Sequence, residues 1–130
     1  MTLFIDTSSP DYMIIALTKG KQLVVSQKIK ARQRQGEKLI PALDVLLHKQ
    51  GLKLSQLKKI EVVHAGESFT SLRIGVVVAN ALAYALNLPV VAVSENKAIK
   101  SSAVKKFGRH TLVVPAYSRP PEIGKKKKMV

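Results

Sequence analysis

The longest uncharged stretch of the chain, from Ile74 to Ser94, restricts what the chain can fold into. A membrane-spanning helix needs about 20 consecutive and predominantly apolar residues. Here Gly75, Asn80, Asn87 and Pro89 interrupt the stretch, and we therefore expect no membrane span. The pattern instead favours a buried helix followed by a buried strand.

Periodic patterns predict further strands and helices along the chain. Short apolar runs rich in β-branched residues are typical of strands, and an apolar period of 3.6 residues is typical of helices. The expected strands are Thr2–Asp6, Tyr12–Thr18, Gln22–Ile29, Ile60–Ala65, Val90–Val93 and Thr111–Val114. The first expected helix ends at Gly51, and it either begins near Lys38 with Pro41 in its first turn or bends at Pro41. The second covers Phe69–Leu86 with Ser68 as its cap, and the third covers about Glu95–Phe107. This order predicts a mixed α/β layer structure, in which hairpins join the first three strands and crossovers join the later ones.

Composition narrows the possible functions. A chain of 130 residues can bury a single core. Cysteine is absent, which excludes a disulfide framework, a thiolate nucleophile and a cysteine-bound metal, and we expect a cytoplasmic protein. The 22 Lys and Arg residues outnumber the 8 Asp and Glu residues, and the formal net charge of +14 favours polyanionic partners such as RNA. Both halves of the chain share this excess, so the charge alone identifies no site.

A segment near the middle of the chain resembles a family signature. Ala65 to Gly75 reads Ala-Gly-Glu-Ser-Phe-Thr-Ser-Leu-Arg-Ile-Gly, which is similar to the sequence Gly-Pro-Gly-Ser-Phe-Thr-Gly-Leu-Arg-Ile-Gly of the bacterial TsaB family, also called YeaZ. Residues 4–8, 35–41, 89–94 and 117–121 resemble other segments of that family in the same order. The resemblance covers about residues 2–98 and 111–123.

The resemblance implies the actin-like (ASKHA, ribonuclease H-like) fold, which this family usually builds from two lobes. We expect residues 1–116 to form the first lobe with a trimmed remnant of the second, and residues 117–130 to form a basic and largely disordered tail. The resemblance also implies a non-catalytic role in forming threonylcarbamoyladenosine next to the tRNA anticodon. In that family TsaB pairs with the transferase TsaD, the small ATPase TsaE joins them, and the tRNA is bound through the complex.

Two segments that could hold a nucleotide lack the residues for it. Asp6–Ser9 takes the place of a phosphate-binding turn but contains no Gly, so we favour a local turn held by Asp and Ser side chains. In the signature, Ala65, Glu67 and Ser71 stand where the family has glycines. A carboxylate at Glu67 suits the start of the next helix and opposes a phosphate there. The three histidines form no metal-binding motif, and we expect no cofactor, no metal and no catalytic residue.

The helix over Phe69–Leu86 is apolar on two sides. On a helical wheel, one side holds Gly75, Val78, Ala79, Leu82 and Leu86, and the other holds Arg73, Val76, Val77, Asn80 and Tyr84. Small residues at intervals of four, Ser71, Gly75, Ala79 and Ala83, permit close packing of backbones. The pattern alone fits a core helix and an interface helix equally well.

The resemblance favours the interface, because TsaB-type lobes meet TsaD through their first and second helices in a four-helix bundle. It implies that the partner-binding residues are Arg73, Val76, Val77, Asn80 and Tyr84, with Ile40 and Leu47 at the rim. Whether the free chain also forms a homodimer stays open.

Other functions remain open at this point. A run of four lysines is either a solvated tail or an arm that contacts RNA, and its members are Lys125, Lys126, Lys127 and Lys128. A small basic RNA-binding protein that acts alone would also carry this net charge. A residual actin-like ATPase is a further possibility, and it would need an opposite lobe to close over the nucleotide.

Overall fold

The computed structural model describes residues 1–32, 34–66, 69–93, 104–107, 110–113 and 116–117. Within these residues the strands are β1 (Thr2–Asp6), β2 (Tyr12–Lys19), β3 (Gln22–Lys30), β4 (Lys59–Val63), β5 (Ala65–Gly66), β6 (Val90–Val93), β7 (Val104–Phe107), β8 (His110–Val113) and β9 (Ala116–Tyr117). The helices are α1 (Gln35–Lys49) and α2 (Phe69–Leu86), and Leu54–Gln56 forms a 3₁₀ turn. Neither of these helices is long and apolar enough to cross a membrane.

A five-stranded mixed sheet forms the centre of the fold, in the order β3-β2-β1-β4-β6. β1 and β3 each pair antiparallel with β2, whereas β4 pairs parallel with both β1 and β6. Parallel neighbours need a crossover connection, and α2 lies in the connection from β4 to β6 while α1 precedes β4. The predicted mixed α/β architecture, with hairpins first and crossovers later, is therefore confirmed.

The hydrophobic core lies between the two helices and one face of this sheet. Side chains alternate between the two faces of a strand, and those buried on the helix side are Leu3, Ile5, Met13, Ile15, Leu17, Ile60, Val62, Val90 and Ala92. The same cluster includes Leu39, Leu43, Leu46 and Leu47 of α1 and Val76, Ala79 and Ala83 of α2. On the other face of the sheet, Tyr12, Lys28 and Lys30 are exposed.

α1 begins at Gln35, before the start near Lys38 that the sequence suggested, and Pro41 lies inside it. The Gln35 side-chain amide is buried and donates to the carbonyl oxygens of Ser9 (2.8 Å) and Pro10 (3.0 Å). These long-range hydrogen bonds hold the first turn of the helix. Intrinsic helix propensity contains no information about them, which explains the difference.

Both helices end close to the predicted positions, and each is followed by a residue with left-handed backbone geometry. Gly51 follows α1 with φ 65°, and Asn87 follows α2 with φ 56°. The Gly51 amide donates to the carbonyl oxygen of His48 (3.0 Å), and the Leu88 amide donates to that of Ala83 (2.9 Å). Such bonds satisfy carbonyl groups that the end of a helix leaves without an intrahelical partner.

The predicted third helix is wrong over its last residues. Val104–Phe107 form β7, which pairs antiparallel with β8 across a two-residue connection. Val and Phe favour strands, and a two-residue connection that contains Gly is typical of hairpins, so the ladder outweighs the weak helical period. Residues 94–103 lie outside the described residues. The predicted strand Thr111–Val114 is present as β8, one residue earlier.

The segment expected to form a disordered tail begins with a strand. β9 pairs parallel with β5, so that Ala65 lies opposite Ala116 and Gly66 lies opposite Tyr117. Tyr117, which the sequence assigned to the tail, therefore takes part in a strand pair. The rest of the predicted tail lies outside the described residues, and this includes the lysines suggested as RNA contacts, Lys125, Lys126, Lys127 and Lys128. Their contact with RNA stays a prediction.

Candidate protein-binding site

The side chain of Thr7 holds α2 against the sheet. Thr7 is buried directly after β1, and its hydroxyl donates to the carbonyl oxygen of Ser71 (2.6 Å) and accepts from the amide of Gly75 (3.0 Å). Ser71 and Gly75 are four residues apart, so the hydroxyl bridges two groups that belong to one turn of helix. α2 can lie this near the end of β1 because Gly75 has no Cβ. A Cβ at this position would overlap with the Thr7 side chain.

This contact determines which side of α2 is buried. Ser71, Gly75, Ala79 and Ala83, spaced by four, are all buried, as small residues are where backbones approach closely. The predicted close packing along this stripe of small residues is confirmed at Gly75. The opposite side of α2 is consequently turned to solvent.

The exposed side of α2 is apolar beyond Thr70 and Arg73 in its first turns. Val77 and Tyr84 are 60% and 62% exposed, and Ala81 and Ala85 are exposed beside them. On the neighbouring α1, Ile40 is 61% exposed. We call the surface formed by Ile40, Val77, Ala81, Tyr84 and Ala85 the α1–α2 face. Several exposed apolar side chains on two helices that pack together are typical of a site that another protein covers.

Two cavities adjoin the α1–α2 face. A groove of about 300 Å³ is lined by Gly36 of α1 and by Thr70, Arg73, Ile74, Val77 and Val78 of α2. A smaller cavity of about 150 Å³ is lined by Ile40, Leu54 and Leu82, among others. The surface between the two helices is therefore indented, and apolar side chains of a partner could insert there.

The residues expected at the interface fall into two groups. Ile40, Arg73, Val77 and Tyr84 are exposed, and Asn80 is half-buried. In contrast, Val76 and Leu47 are only 2% and 5% exposed, because both pack in the hydrophobic core. The expectation that Val76 and Leu47 are available to a partner is therefore wrong.

Three exposed apolar residues on or beside the α1–α2 face were absent from the predicted set, namely Ala81, Ala85 and Leu54. On a helical wheel centred on the stripe of small residues, Ala81 lies about 140° away, on the exposed side, so the sequence contained a signal for it. Ala85 lies about 100° away, on the flank, where the wheel does not separate exposed from buried positions. Leu54 had no such signal, because the 3₁₀ turn brings it next to the helices.

The turn after β1 engages its own carboxylate. Asp6 Oδ1 accepts hydrogen bonds from the amide (2.9 Å) and the hydroxyl (2.6 Å) of Ser8, and Ser9 Oγ accepts from the amide of Asp11 (3.2 Å). The predicted turn held by Asp and Ser side chains is confirmed. Within the ranges that the structure describes, no group of three or more His, Cys, Asp and Glu side chains could hold a metal ion. The predicted cap Ser68 and the neighbouring Glu67 lie outside those ranges.

The chain is similar in sequence to proteins of one family. A family model described as TsaD: tRNA N6-adenosine threonylcarbamoyltransferase matches residues 23–118. The tRNA threonylcarbamoyladenosine biosynthesis protein TsaB of Haemophilus influenzae is 26% identical over 121 residues, which are 93% of this chain and 50% of that protein. The Bacillus subtilis protein of the same name is 31% identical over 109 residues, which are 83% of this chain and 44% of that protein.

Solved structures resemble the described fold. YeaZ from Pseudomonas aeruginosa is 31% identical with a TM-score of 0.66, over 72% of this chain and 43% of that chain. The RuvC protein of T. thermophilus, solved with a Holliday junction substrate, is 10% identical with a TM-score of 0.51, over 72% of this chain and 63% of that chain, a likeness of fold alone. The five-stranded sheet with its two helices is therefore of the actin-like, ribonuclease H-like type. The chain spans about half the length of the curated relatives it matches.

Proposed function

The chain belongs to the family that the TsaD model describes and, within it, to the TsaB (YeaZ) group, and from this premise we propose that it is a non-catalytic subunit that binds a TsaD-like transferase. The α1–α2 face is the surface that this transferase covers. The modification that the pair supports is threonylcarbamoylation of the adenosine next to the tRNA anticodon. A TsaE-like ATPase and the tRNA join through this complex.

The observation that carries the proposal is the exposed apolar surface of α2. This helix contains a single charged residue, Arg73, although Val77 and Tyr84 are open to solvent. A helix that faces only water normally carries charged residues on its outer side. Covering the exposed parts of Val77, Tyr84 and Ile40 is worth about 3 to 5 kcal/mol in all. Part of that gain is offset by the entropy lost on association, so the face suits a specific partner of moderate affinity.

The shape of the α1–α2 face favours a helical partner. Ala81 and Ala85 have small side chains on the exposed side of α2, which lets a second helix approach its backbone. The groove lined by Gly36 and Val77 lies beside them and can accept larger apolar side chains. Two helices of the transferase packed here would complete a four-helix bundle with α1 and α2.

Residues at the positions of a phosphate site have packing roles in this chain. The Asp6 carboxylate accepts its hydrogen bonds from Ser8 in the local turn. Ser71, where the family signature has Gly, is buried, and its carbonyl oxygen bonds to Thr7. Both observations support a structural role for this end of the sheet and not a catalytic one.

Co-purification with the TsaD of the same organism tests the proposal. Val77→Asp introduces a carboxylate on the α1–α2 face, and we expect it to weaken the complex by more than about 3 kcal/mol, or roughly a hundredfold. Val24→Asp is a matched control, because Val24 is an exposed valine of β3 away from both helices. The control should bind as the unchanged chain does. Retained binding by a folded Val77→Asp variant would refute the proposed site.

The same face can pair two copies of the chain when the transferase is absent. Such a homodimer would dissociate on dilution and would lose its stability when Val77 is replaced by Asp. Sedimentation velocity over a range of chain concentrations measures this directly. A dimer that persists in the Val77→Asp variant would have to use another surface.

A stand-alone RNA-binding protein is the second candidate, and the net charge of +14 favours it. That function requires no transferase. It predicts that the isolated chain binds tRNA as tightly as the complex with TsaD does, whereas a subunit of the transferase should gain affinity in the complex.

A further inference from the structure

A basic groove lies at the open end of the β2–β3 hairpin. Its volume is about 450 Å³, and it is lined by Asp11, Tyr12, Lys30 and Arg32. Tyr12 and Lys30 are opposite each other in the ladder, and Lys28 Nζ lies 4.5 Å from the centre of the Tyr12 ring. Tyr12, Lys28 and Lys30 are on the face of the sheet that the two helices do not cover. The groove is therefore separate from the α1–α2 face.

Backbone hydrogen bonds hold the walls of this groove in place. The carbonyl oxygen of Asp11 accepts from the amides of Ala31 (2.7 Å) and Arg32 (3.0 Å). Arg32 has a φ of 43°, a left-handed geometry that turns the chain sharply between β3 and α1. Lys38 Nζ donates to the carbonyl oxygen of Lys30 (3.2 Å), which brings a further ammonium group close to the groove. The groove is thus formed before any ligand binds.

Basic residues outnumber acidic residues in and around this groove. Its basic residues are Lys28, Lys30, Arg32, Arg34 and Lys38, and its acidic residues are Asp11 and Glu37. Arg34 pairs with Glu37 at 2.9 Å. Among the residues that the structure describes, Lys28, Lys30 and Arg32 form no ion pair. The groove therefore presents an excess of cations over the carboxylate of Asp11, beside an exposed aromatic ring.

We propose that this groove binds a single-stranded segment of RNA, with a base stacked on Tyr12 and phosphates bound by Lys30 and Arg32. Every base has a π-face, so an aromatic ring among cations is the arrangement that single-strand binding uses. The Lys28 ammonium lies over one face of the ring, and in this proposal the base stacks on the other face. That the RNA is tRNA rests on the proposed function. Because the groove and the α1–α2 face are on different sides of the sheet, RNA and transferase can bind together.

Salt-dependent binding of unmodified tRNA to the full chain tests the phosphate contacts. Each cation that neutralises a phosphate contributes about 0.7 to 0.9 to the slope of log affinity against log salt. Lys30→Gln with Arg32→Gln should therefore lower the slope by about 1.5 and weaken binding about tenfold at moderate salt. Lys19→Gln with Lys21→Gln is the matched control, since both residues are exposed at the other end of the same hairpin. Equal effects of the two double variants would overturn the proposal.

Three substitutions at two positions of the groove test the base contact and the electrostatic attraction of the RNA. Tyr12→Ala should weaken tRNA binding about 5- to 100-fold, whereas Tyr12→Phe should bind as the unchanged chain does. Asp11→Asn removes the carboxylate from the groove and should strengthen binding several-fold, an effect that misfolding cannot mimic. A Phe variant as weak as the Ala variant, or an Asp11→Asn variant with unchanged affinity, would contradict the proposal.

Two further measurements separate this inference from the proposed function. The groove variants should co-purify with TsaD as the unchanged chain does, because the α1–α2 face is intact. If they keep tRNA affinity while transferase binding persists, the groove assignment fails and the proposed function stands. If the variants lose binding to polyglutamate but not to tRNA, the groove serves an acidic protein segment and the RNA assignment is overturned.

Discussion

Replacing Gly75 with Ala tests the contact that sets the orientation of α2. A Cβ at this position would lie 3.1 Å from Thr7 Cγ2 and 3.3 Å from Thr7 Cβ, and closer still to Thr7 Oγ1. Thr7 is fully buried, and its hydroxyl bonds to the backbone of Ser71 and of Gly75. The side chain therefore cannot move aside without breaking these two hydrogen bonds.

The expected loss of folding free energy is about 3 kcal/mol. Overpacking of a filled core costs about 1 to 3 kcal/mol, and each disrupted hydrogen bond adds about 0.5 to 1.5 kcal/mol. Alanine recovers about 1 kcal/mol, since it is a better helix former than glycine. Steric overlap therefore outweighs helix propensity at this position.

The same substitution should change sign when Thr7 is first replaced by Ala. Without the threonine hydroxyl and methyl group, the contact that remains is with the Cβ of residue 7 at 3.3 Å, which a shift of a few tenths of an ångström relieves. Gly75→Ala should then stabilise the chain by up to about 1 kcal/mol. The difference between the two backgrounds is a coupling energy of about 3 to 4 kcal/mol. Urea denaturation of the four variants, followed by far-UV circular dichroism, measures each free energy of unfolding.

Gly36→Ala provides the matched control for this cycle. The nearest atom to a Cβ at Gly36 is Ile74 Cδ1 at 3.8 Å, which is an ordinary van der Waals distance. We therefore expect a change within about 0.5 kcal/mol. If Gly75→Ala costs the same free energy with Thr7 and with Ala at position 7, the contact does not set the position of α2, and the reasoning is wrong.

Two further comparisons of stability test the boundary between core and surface and the end of α2. Leu47→Ala should lower the free energy of unfolding by about 2 to 5 kcal/mol, because Leu47 is a core residue, whereas Ile40→Ala should lower it by less than about 1 kcal/mol. Equal losses would show that Ile40 is not free for a partner. At the end of α2, Asn87→Ala should cost about 1 kcal/mol, because Asn87 has left-handed geometry, and Asn87→Gly should cost almost nothing. A chemical denaturation series on these four variants compares them under one set of conditions.

Elements with strong local signals were predicted to within a few residues. β1, β6 and α2 have the bounds expected from apolar runs that end at turn residues. The start of α1 was predicted less well, because the buried Gln35 side chain bonds to carbonyl groups of the distant turn before β2. The hairpin of β7 and β8 was missed in part for a related reason. Its strand pairing outweighs a helical pattern that is weak in residues 95–107.

The α1–α2 face could be predicted only in part, because a helical wheel does not say which flank of an apolar helix meets the sheet. Consecutive residues are about 100° apart on a helix, so the stripe Ser71, Gly75, Ala79 and Ala83 winds slowly around α2. Measured from the centre of this stripe, Val76 lies at about 80° and Val77 at about 180°.

The contact between Thr7 and Gly75 therefore buries Val76 and exposes Val77 in a single step. Side-chain hydropathy cannot make this distinction, since both residues are valine. A close approach that requires a glycine can make it, because the direction of that approach defines the opposite side of the helix.

It follows that Gly75→Ala should weaken transferase binding as well as folding, since a displaced α2 rotates the α1–α2 face away from its partner. Rescue of both properties by Thr7→Ala would tie the proposed interface to this one contact, whereas rescue of stability alone would separate the two.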